Sequence, residues 1–273
     1  MTGAGGSIGR ALRERLDRTP GILPSYLVGR RPVRPTDRAV DVADPAALAA
    51  AVASAAPDAV IHLAGLSGAA CDVDLDRTEA VNVGSVRTLM DAADGLGVSR
   101  VIFSSSSAVY GDSYPTPSAE DRDLAGLTTY ARSKIEGESA VRERVSPAMS
   151  GIALRTFNVH GPGFENSLVN RLRASSDADP VVLHGLDRFV RDYIHVDDVV
   201  TAIILSLTAQ VEGAFTAVNI GSGIPTTNRE LLEALARDRP VPVRIAADVV
   251  SYSCADITLA RRLLGFAPVG SIA

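Results

Sequence analysis

Thr2-Gly-Ala-Gly-Gly-Ser-Ile-Gly9 is the stretch that decides the fold. Gly3, Gly6 and Gly9 stand three apart, and the residues from Ser7 onward have the pattern of a helix. Glycines at that spacing let the backbone turn tightly and approach a pyrophosphate, while the helix behind them offers free N–H groups and the positive end of its dipole. Working outward, short β-branched or aromatic runs bounded by Gly, Pro or Ser read as buried parallel strands: Ser25–Val28, Ala59–Leu63 and Val101–Phe103. Between them Pro45–Ala56, Thr78–Leu96 and Thr128–Arg144 read as helices, the first with Pro45 in its opening turn and Asp44 as its cap.

This alternation predicts an α/β fold with a doubly wound parallel sheet of the Rossmann type, its crossovers right-handed. Residues 1–155 form the expected dinucleotide-binding domain. After residue 155 the rhythm loosens, and 156–273 reads as a smaller C-terminal substrate-binding lobe. Some of its segments are expected to return to the main sheet; the strand-like pieces are Val181–Leu183, Asp192–Val196 and Ala217–Ile220. A glycine-rich turn of this kind follows a strand, and only Met1 precedes Thr2. The expectation is therefore a sheet whose first strand is missing from the sequence, through a start recorded downstream of the true one or a compromised form.

Composition narrows the functional classes. Of 273 residues 46% are apolar and 22% charged, a globular balance, and the net charge of −5 with no basic run argues against a nucleic-acid partner. No apolar stretch has the length of a membrane span and no signal peptide opens the chain. Cys71 and Cys254 fit no zinc or redox spacing, and each reads as a free buried thiol. The four histidines have no metal-ligand spacing, so no metal is expected. These features together predict a cytoplasmic protein.

Of the 27 basic residues, 26 are arginine and one is Lys134, which stands in Tyr130-Ala-Arg-Ser-Lys134. Positions i and i+4 share a helix face. An ammonium beside a phenol favours the phenolate, so Tyr130 reads as a general acid/base whose pKa Lys134 lowers. Phe103-Ser-Ser-Ser-Ser-Ala-Val-Tyr-Gly111 sets small hydroxyl residues at the carboxyl end of a strand, where ligands of open α/β sheets bind. At the end of the Leu27 strand, where NAD-binding units place an acid for the ribose 2′-hydroxyl, stand Gly29, Arg30 and Arg31. Arginines pair with a 2′-phosphate, so the cofactor reads as NAD(P), leaning to NADP(H).

The chain resembles the extended short-chain dehydrogenase/reductases, the NAD(P)-dependent epimerase/dehydratase family of nucleotide-sugar enzymes. The resemblance runs nearly end to end, through TGAGGSIG at 2–9, VDV at 40–42, IHLAG at 61–65, VNVGS at 81–85, FSSSSAVYG at 103–111, YARSK at 130–134, LRTFNVHGP at 154–162, RDYIHVDDV at 191–199 and NIGSG at 219–223. It implies Ser106, Tyr130 and Lys134 as the catalytic set. It implies cofactor contacts from Gly3, Gly6, Ser7, Ile8, Gly9, Asp41, Val42, Leu63, Ala64 and Gly65, with Asn82 holding a neighbouring loop. Thr156 to Val159 would border nicotinamide and substrate, Phe157 and Val159 on the cofactor and Asn158 on the substrate; Arg191 would reach a nucleotide diphosphate. A homodimer through the helices at 78–96 and 128–144 is also implied, with Val81, Val86, Leu89, Met90, Ile135 and Val141 as its apolar stripe.

Two departures narrow the chemistry. The dehydratase branch carries an Asp-Glu pair just before Val-Tyr-Gly; here those places hold Ser107 and Ala108, which disfavours 4,6-dehydration. Many relatives have an arginine before Ala255-Asp256, and Ile245–Tyr252 holds none. The leading expectation is an NAD(P)-dependent epimerase that works on a nucleotide-linked sugar through a 4-keto intermediate. The alternatives are an NADPH-dependent 4-ketoreductase and a catalytically silent dinucleotide-binding protein.

Overall fold

The computed structural model describes all residues except 30, 31, 33, 212, 238 and 273. Strands β1 (Leu27–Val28), β2 (Arg38–Ala39), β3 (Ala59–His62), β4 (Arg100–Ser106) and β5 (Ser150–Thr156) alternate with helices α1 (Ser7–Leu16), α2 (Pro45–Ala55), α3 (Ala70–Val73), α4 (Leu75–Glu79), α5 (Ser85–Gly95) and α6 (Thr129–Arg144). The remainder comprises β6 (Asn158–His160), α7 (Leu168–Ala174), β7 (Val181–Leu183), β8 (Phe189–His195), α8 (Val196–Thr208), β9 (Phe215–Ile220), β10 (Pro225–Thr227), α9 (Asn228–Leu235), β11 (Val243–Ile245), β12 (Ser251–Ser253) and α10 (Thr258–Leu264).

Strands β3, β4, β5 and β9 form a parallel sheet in that order, so a strand from the second half of the chain closes the sheet begun by the first. Consecutive residues of β4 point to opposite faces, and each face has its own core. Ile102 packs with Leu12 and Leu16 of α1 and Val199 and Ile203 of α8. Val101 and Phe103 pack with Leu48 and Val52 of α2, Leu89 and Met90 of α5, and Val141 of α6. Helices thus cover both faces, as a doubly wound sheet requires. A third cluster joins Val169 and Leu172 of α7 to Leu183, Tyr193 and Leu231 in the C-terminal half.

The position of the strand that leads into the glycine turn is held by Met1 and Thr2. Thr2 donates its N–H to the Ile61 carbonyl (2.9 Å) and Leu27 donates to the Met1 carbonyl (2.8 Å), which links β2–β1 to β3. Beside them a cavity of about 440 Å³ is lined by Leu16, Leu27, Val52 and Ile61. The Met1 amine donates to the Ser25 carbonyl (2.8 Å), and burial lowers its pKa to about 6.

Three local readings change. The span expected as one helix at 78–96 is divided: α4 ends at Glu79, five residues from Ala80 to Gly84 form a wider π turn, and α5 follows. The apolar periodicity continues through the π turn, which is why the sequence alone does not show it. Strand β2 was not anticipated; its exposed pair Arg38–Ala39 has no apolar pattern. The apolar stripe expected at a dimer contact is used internally, since Val81, Val86, Leu89, Met90 and Val141 are each at most 5% exposed and Ile135 packs half-buried against the core. Among the described residues no helix is long and apolar enough to cross a membrane, and both cysteines are free and buried.

Candidate active site

The carboxyl ends of the parallel strands open onto a cavity of about 360 Å³. Its lining includes Gly3, Gly6, Ser7, Ile8, Gly9, Leu63, Gly65, Ser106, Tyr130, Lys134, Phe157 and Val159, all singled out in the sequence, although they span more than 150 positions. Leu66, Ser67, Ser104, Ser105, Thr156 and Phe164 complete it. Asp41, Val42, Ala64, Asn82, Asn158 and Arg191 do not line this cavity, and Arg30 and Arg31 lie outside the described residues.

One wall is the start of α1. Gly6 caps the helix without a side-chain hydrogen bond, and the first turn contains no acid, so its N–H groups and dipole remain for an anion. A Cβ on Gly9 would run into the Gly3 carbonyl oxygen, so only glycine lets the helix begin this close to the turn. The cradle therefore fits a dinucleotide pyrophosphate.

The opposite wall is α6. Thr128 caps it by accepting from the Ala131 N–H (3.1 Å), which fixes the helix start two residues before Tyr130. Lys134, 5% exposed, donates to the Ser104 carbonyl (2.7 Å), and its Nζ lies 5.8 Å from the centroid of the Tyr130 ring. Burial pushes the lysine pKa down to about 8, opposed by Cys71 and Glu138. The Tyr130 phenol is raised by burial, and its hydrogen bond with Ser106 pulls it back down. The Ser106 hydrogen bond thus favours the phenolate, while the Lys134 ammonium donates to the Ser104 carbonyl beside the Tyr130 ring. The Ser106 hydroxyl oxygen also accepts the Ala108 N–H (3.2 Å) at the start of the short turn Ser107–Tyr110, which leaves the hydroxyl proton for the phenol.

Around the cavity, Asn82 has the loop-holding place implied for it, whereas its partner Ser133 and the Asp41 partner Arg77 had no signal in the sequence beyond their type. Asn82 sits in the π turn, a device that often re-aims a side chain at a functional site. Its amide accepts from the Leu66 N–H (2.7 Å) and donates to the Leu66 carbonyl (3.0 Å) and to Ser133 (2.9 Å), tying the loop after β3 to α6. Arg77 pairs with both oxygens of Asp41 (2.8 and 2.9 Å). His62 is a core histidine between Thr2 (2.8 Å) and Ser85 (3.1 Å), kept neutral by burial with a pKa of about 3. Asn158 donates to the Asp192 carbonyl (3.0 Å), while Arg191 bonds Ser251 (2.7 Å) and lies 3.7 Å from the Asp112 carboxylate.

The family model described as the NAD dependent epimerase/dehydratase family matches residues 1–221. The chain belongs to that family. It is 31% identical over 215 residues to UDP-glucose 4-epimerase 3 of Oryza sativa subsp. japonica, covering 69% of this chain and 58% of the rice protein. It is 32% identical over 234 residues to a dTDP-glucose 4,6-dehydratase of Streptomyces griseus, covering 80% of this chain and 69% of that protein. The solved structure of MoeE5 in complex with UDP-glucuronic acid and NAD superposes with a TM-score of 0.85 at 28% identity, covering 99% of this chain and 93% of MoeE5. The Rossmann fold expected from the glycine turn is thereby established. The chain spans somewhat more than half the length of the rice relative.

A bound dinucleotide would enter the cavity between the two walls, its pyrophosphate held at the start of α1. Without it, the Lys134 ammonium loses its proton as pH rises through about 8. Affinity for NADH or NADPH, read by nucleotide fluorescence, is therefore expected to weaken several-fold between about pH 7 and 9, since one pKa unit is a tenfold change in charge state. A flat profile would show that the ammonium contributes nothing to binding.

Proposed function

We propose that the chain epimerises a nucleotide-linked hexose at C4 through a 4-keto intermediate. The observation that carries this reading is the convergence of Ser106, Tyr130 and Lys134 on the same cavity as the uncapped start of α1. Curated relatives include UDP-glucose 4-epimerases, and Ser107 and Ala108 stand where the dehydratase branch carries acids.

When bound, the dinucleotide accepts a hydride from the sugar and returns it. The protein supplies the proton transfer and the geometry. Tyr130 takes the proton of the sugar hydroxyl as its phenolate and gives it back. Ser106 donates a hydrogen bond to the phenolate and orients the hydroxyl. The Lys134 ammonium holds the ribose side of the site and the carboxyl end of β4 together. With no acid at 107 or 108, the ketone is not drawn into elimination of water and is reduced again. The lobe formed by residues 156–273 holds the nucleotide half, with Asn158 and Arg191 as substrate contacts. The two free thiols suit a reducing cytoplasm.

Incubation with UDP-glucose and NAD(P), followed by separation of the C4 epimers, tests the reading: inversion is expected with no net change in absorbance at the wavelength of the reduced cofactor. Tyr130→Phe should lower turnover about 10²- to 10⁴-fold and leave cofactor affinity nearly unchanged. Turnover within a factor of two of the parent removes Tyr130 from the mechanism.

A 4-ketoreductase is the second reading, favoured by Arg30 and Arg31 after Gly29. The same two residues lead us to propose that NADP(H) binds more tightly than NAD(H). Hydrogen bonds to a charged group are worth about 1.5–3 kcal/mol, which gives roughly a tenfold to hundredfold preference. Titration with the two reduced cofactors reads it, and equal or tighter NADH binding overturns it and the ketoreductase with it.

A homodimer belongs to the same proposal. With the apolar stripe used internally, a contact through α5 and α6 must be made from exposed charges such as Arg87, Asp91, Arg132 and Glu136. Surface ion pairs are screened by salt. Light scattering is then expected to show a dimer at low ionic strength that weakens at about 1 M salt, where the screening length is only about 3 Å; a monomer in both rejects the assembly.

A further inference from the structure

Beneath the catalytic wall lies a buried polar row that the mechanism does not use. The β4–β5 register sets Ser105 beside Arg155, and the β5–β9 register sets Arg155 beside Asn219. Ser105 and Arg155 both reach Glu138 of α6. Ser105 donates to Oε1 (2.5 Å), and Arg155 donates through Nε to Oε1 (2.9 Å) and through Nη2 to Oε2 (2.7 Å). All three residues are at most 3% exposed.

Glu138 follows Tyr130 and Lys134 at two successive steps of four, so the three share one face of α6. Ser104, Ser105 and Ser106 are consecutive on β4. The Ser104 carbonyl accepts Lys134, Ser105 binds Glu138, and Ser106 meets Tyr130. Three strand residues thus engage three turns of one helix, and the middle contact is the one the reaction itself does not touch. The helix lies as close as packing allows: a Cβ on Gly137 would come within 2.6 Å of the Phe103 ring.

We propose that Ser105, Glu138 and Arg155 are positioning residues, a clasp that fixes the separation of α6 from the end of β4 and so sets Ser106 and the Ser104 carbonyl against Tyr130 and Lys134. The proposal rests on the catalytic reading given above. Ser105 is its most informative member. Arg155 keeps two hydrogen bonds to Glu138 without it, so the ion pair and the fold survive its loss, whereas truncation of Glu138 would strand a buried guanidinium.

The test is Ser105→Ala in the full chain, with turnover of UDP-glucose, cofactor affinity, thermal stability and the Tyr130 phenol followed together. The phenol is followed by NMR of tyrosine labelled at ring carbon Cζ, its signal assigned by Tyr130→Phe. Expected are kcat down by about tenfold or more, since an ångström of misplacement costs on the order of 10²-fold, with KM and cofactor affinity within twofold. The phenol ionisation should move to higher pH as the Ser106 hydrogen bond slackens. Parent-like kcat and phenol titration would overturn the clasp, as would a fall in kcat that only follows loss of folded protein. If the parent turns over no nucleotide sugar, the failure belongs to the proposed function, and the phenol titration decides the clasp alone: movement sustains it and constancy ends it.

Discussion

Arg155 holds a full positive charge in the middle of the parallel sheet, and much of the molecule is arranged to tolerate it. Burial works against the charge, but the Glu138 carboxylate more than offsets it, so the guanidinium is raised above its ordinary range. Its remaining Nη1 donates to the Tyr110 hydroxyl (2.7 Å) and the Glu120 carbonyl (2.9 Å). Tyr110 donates to Asn219 (2.7 Å), and Asn219 donates to the Ser118 carbonyl (2.7 Å) and, through its N–H, to Glu120 (2.8 Å). The chain of bonds fixes β4, β5 and β9 in register, anchors α6 and pins the segment around residues 110–120 over the site. Loss of one member of such a buried pair costs about 3–5 kcal/mol, a large share of the stability of an ordinary domain.

The same constraint explains why catalytic residues distant in the chain come together without any being on a flexible element. Tyr130 and Lys134 lie on a helix capped by Thr128 and held at Glu138, and Ser106 ends a strand paired on both sides. Burial shifts each group in its own direction: the Tyr130 phenol up, the Lys134 ammonium down, and the core residue His62 to the neutral form.

What the sequence revealed was whatever is encoded by short-range periodicity. The glycine turn, the Asp44 cap of α2, the shared face of Tyr130 and Lys134, and the strand that ends in serines are all local patterns, and each appears where it was read. What stayed hidden depends on tertiary partners. Arg155 is one of 26 arginines, and only the strand register places it against Glu138. The π turn at Ala80–Gly84 preserves apolar spacing while shifting Asn82 toward the loop after β3, so it leaves no trace in the pattern. The hydrogen bond of Lys134 stayed hidden for a related reason: a shared helix face says that two side chains are neighbours, not which atoms they choose, and the partner here is the Ser104 carbonyl of β4.

The C-terminal half of the chain follows a different electrostatic logic from the start of α1. The uncapped helix start leaves donors for an anion, but arginines of the C-terminal half already have partners: Arg191 with Ser251 and Asp112, Arg188 with Asp248, and Arg229 with Asp187. A diphosphate that entered beside Arg191 would have to share the guanidinium with the Asp112 carboxylate 3.7 Å away or displace it. Ile245–Tyr252 holds no arginine to strengthen the anion's side of that contest. The cavity end of β4 and α6, fixed by the row through Arg155, faces no such contest, and it is the more firmly built of the two regions.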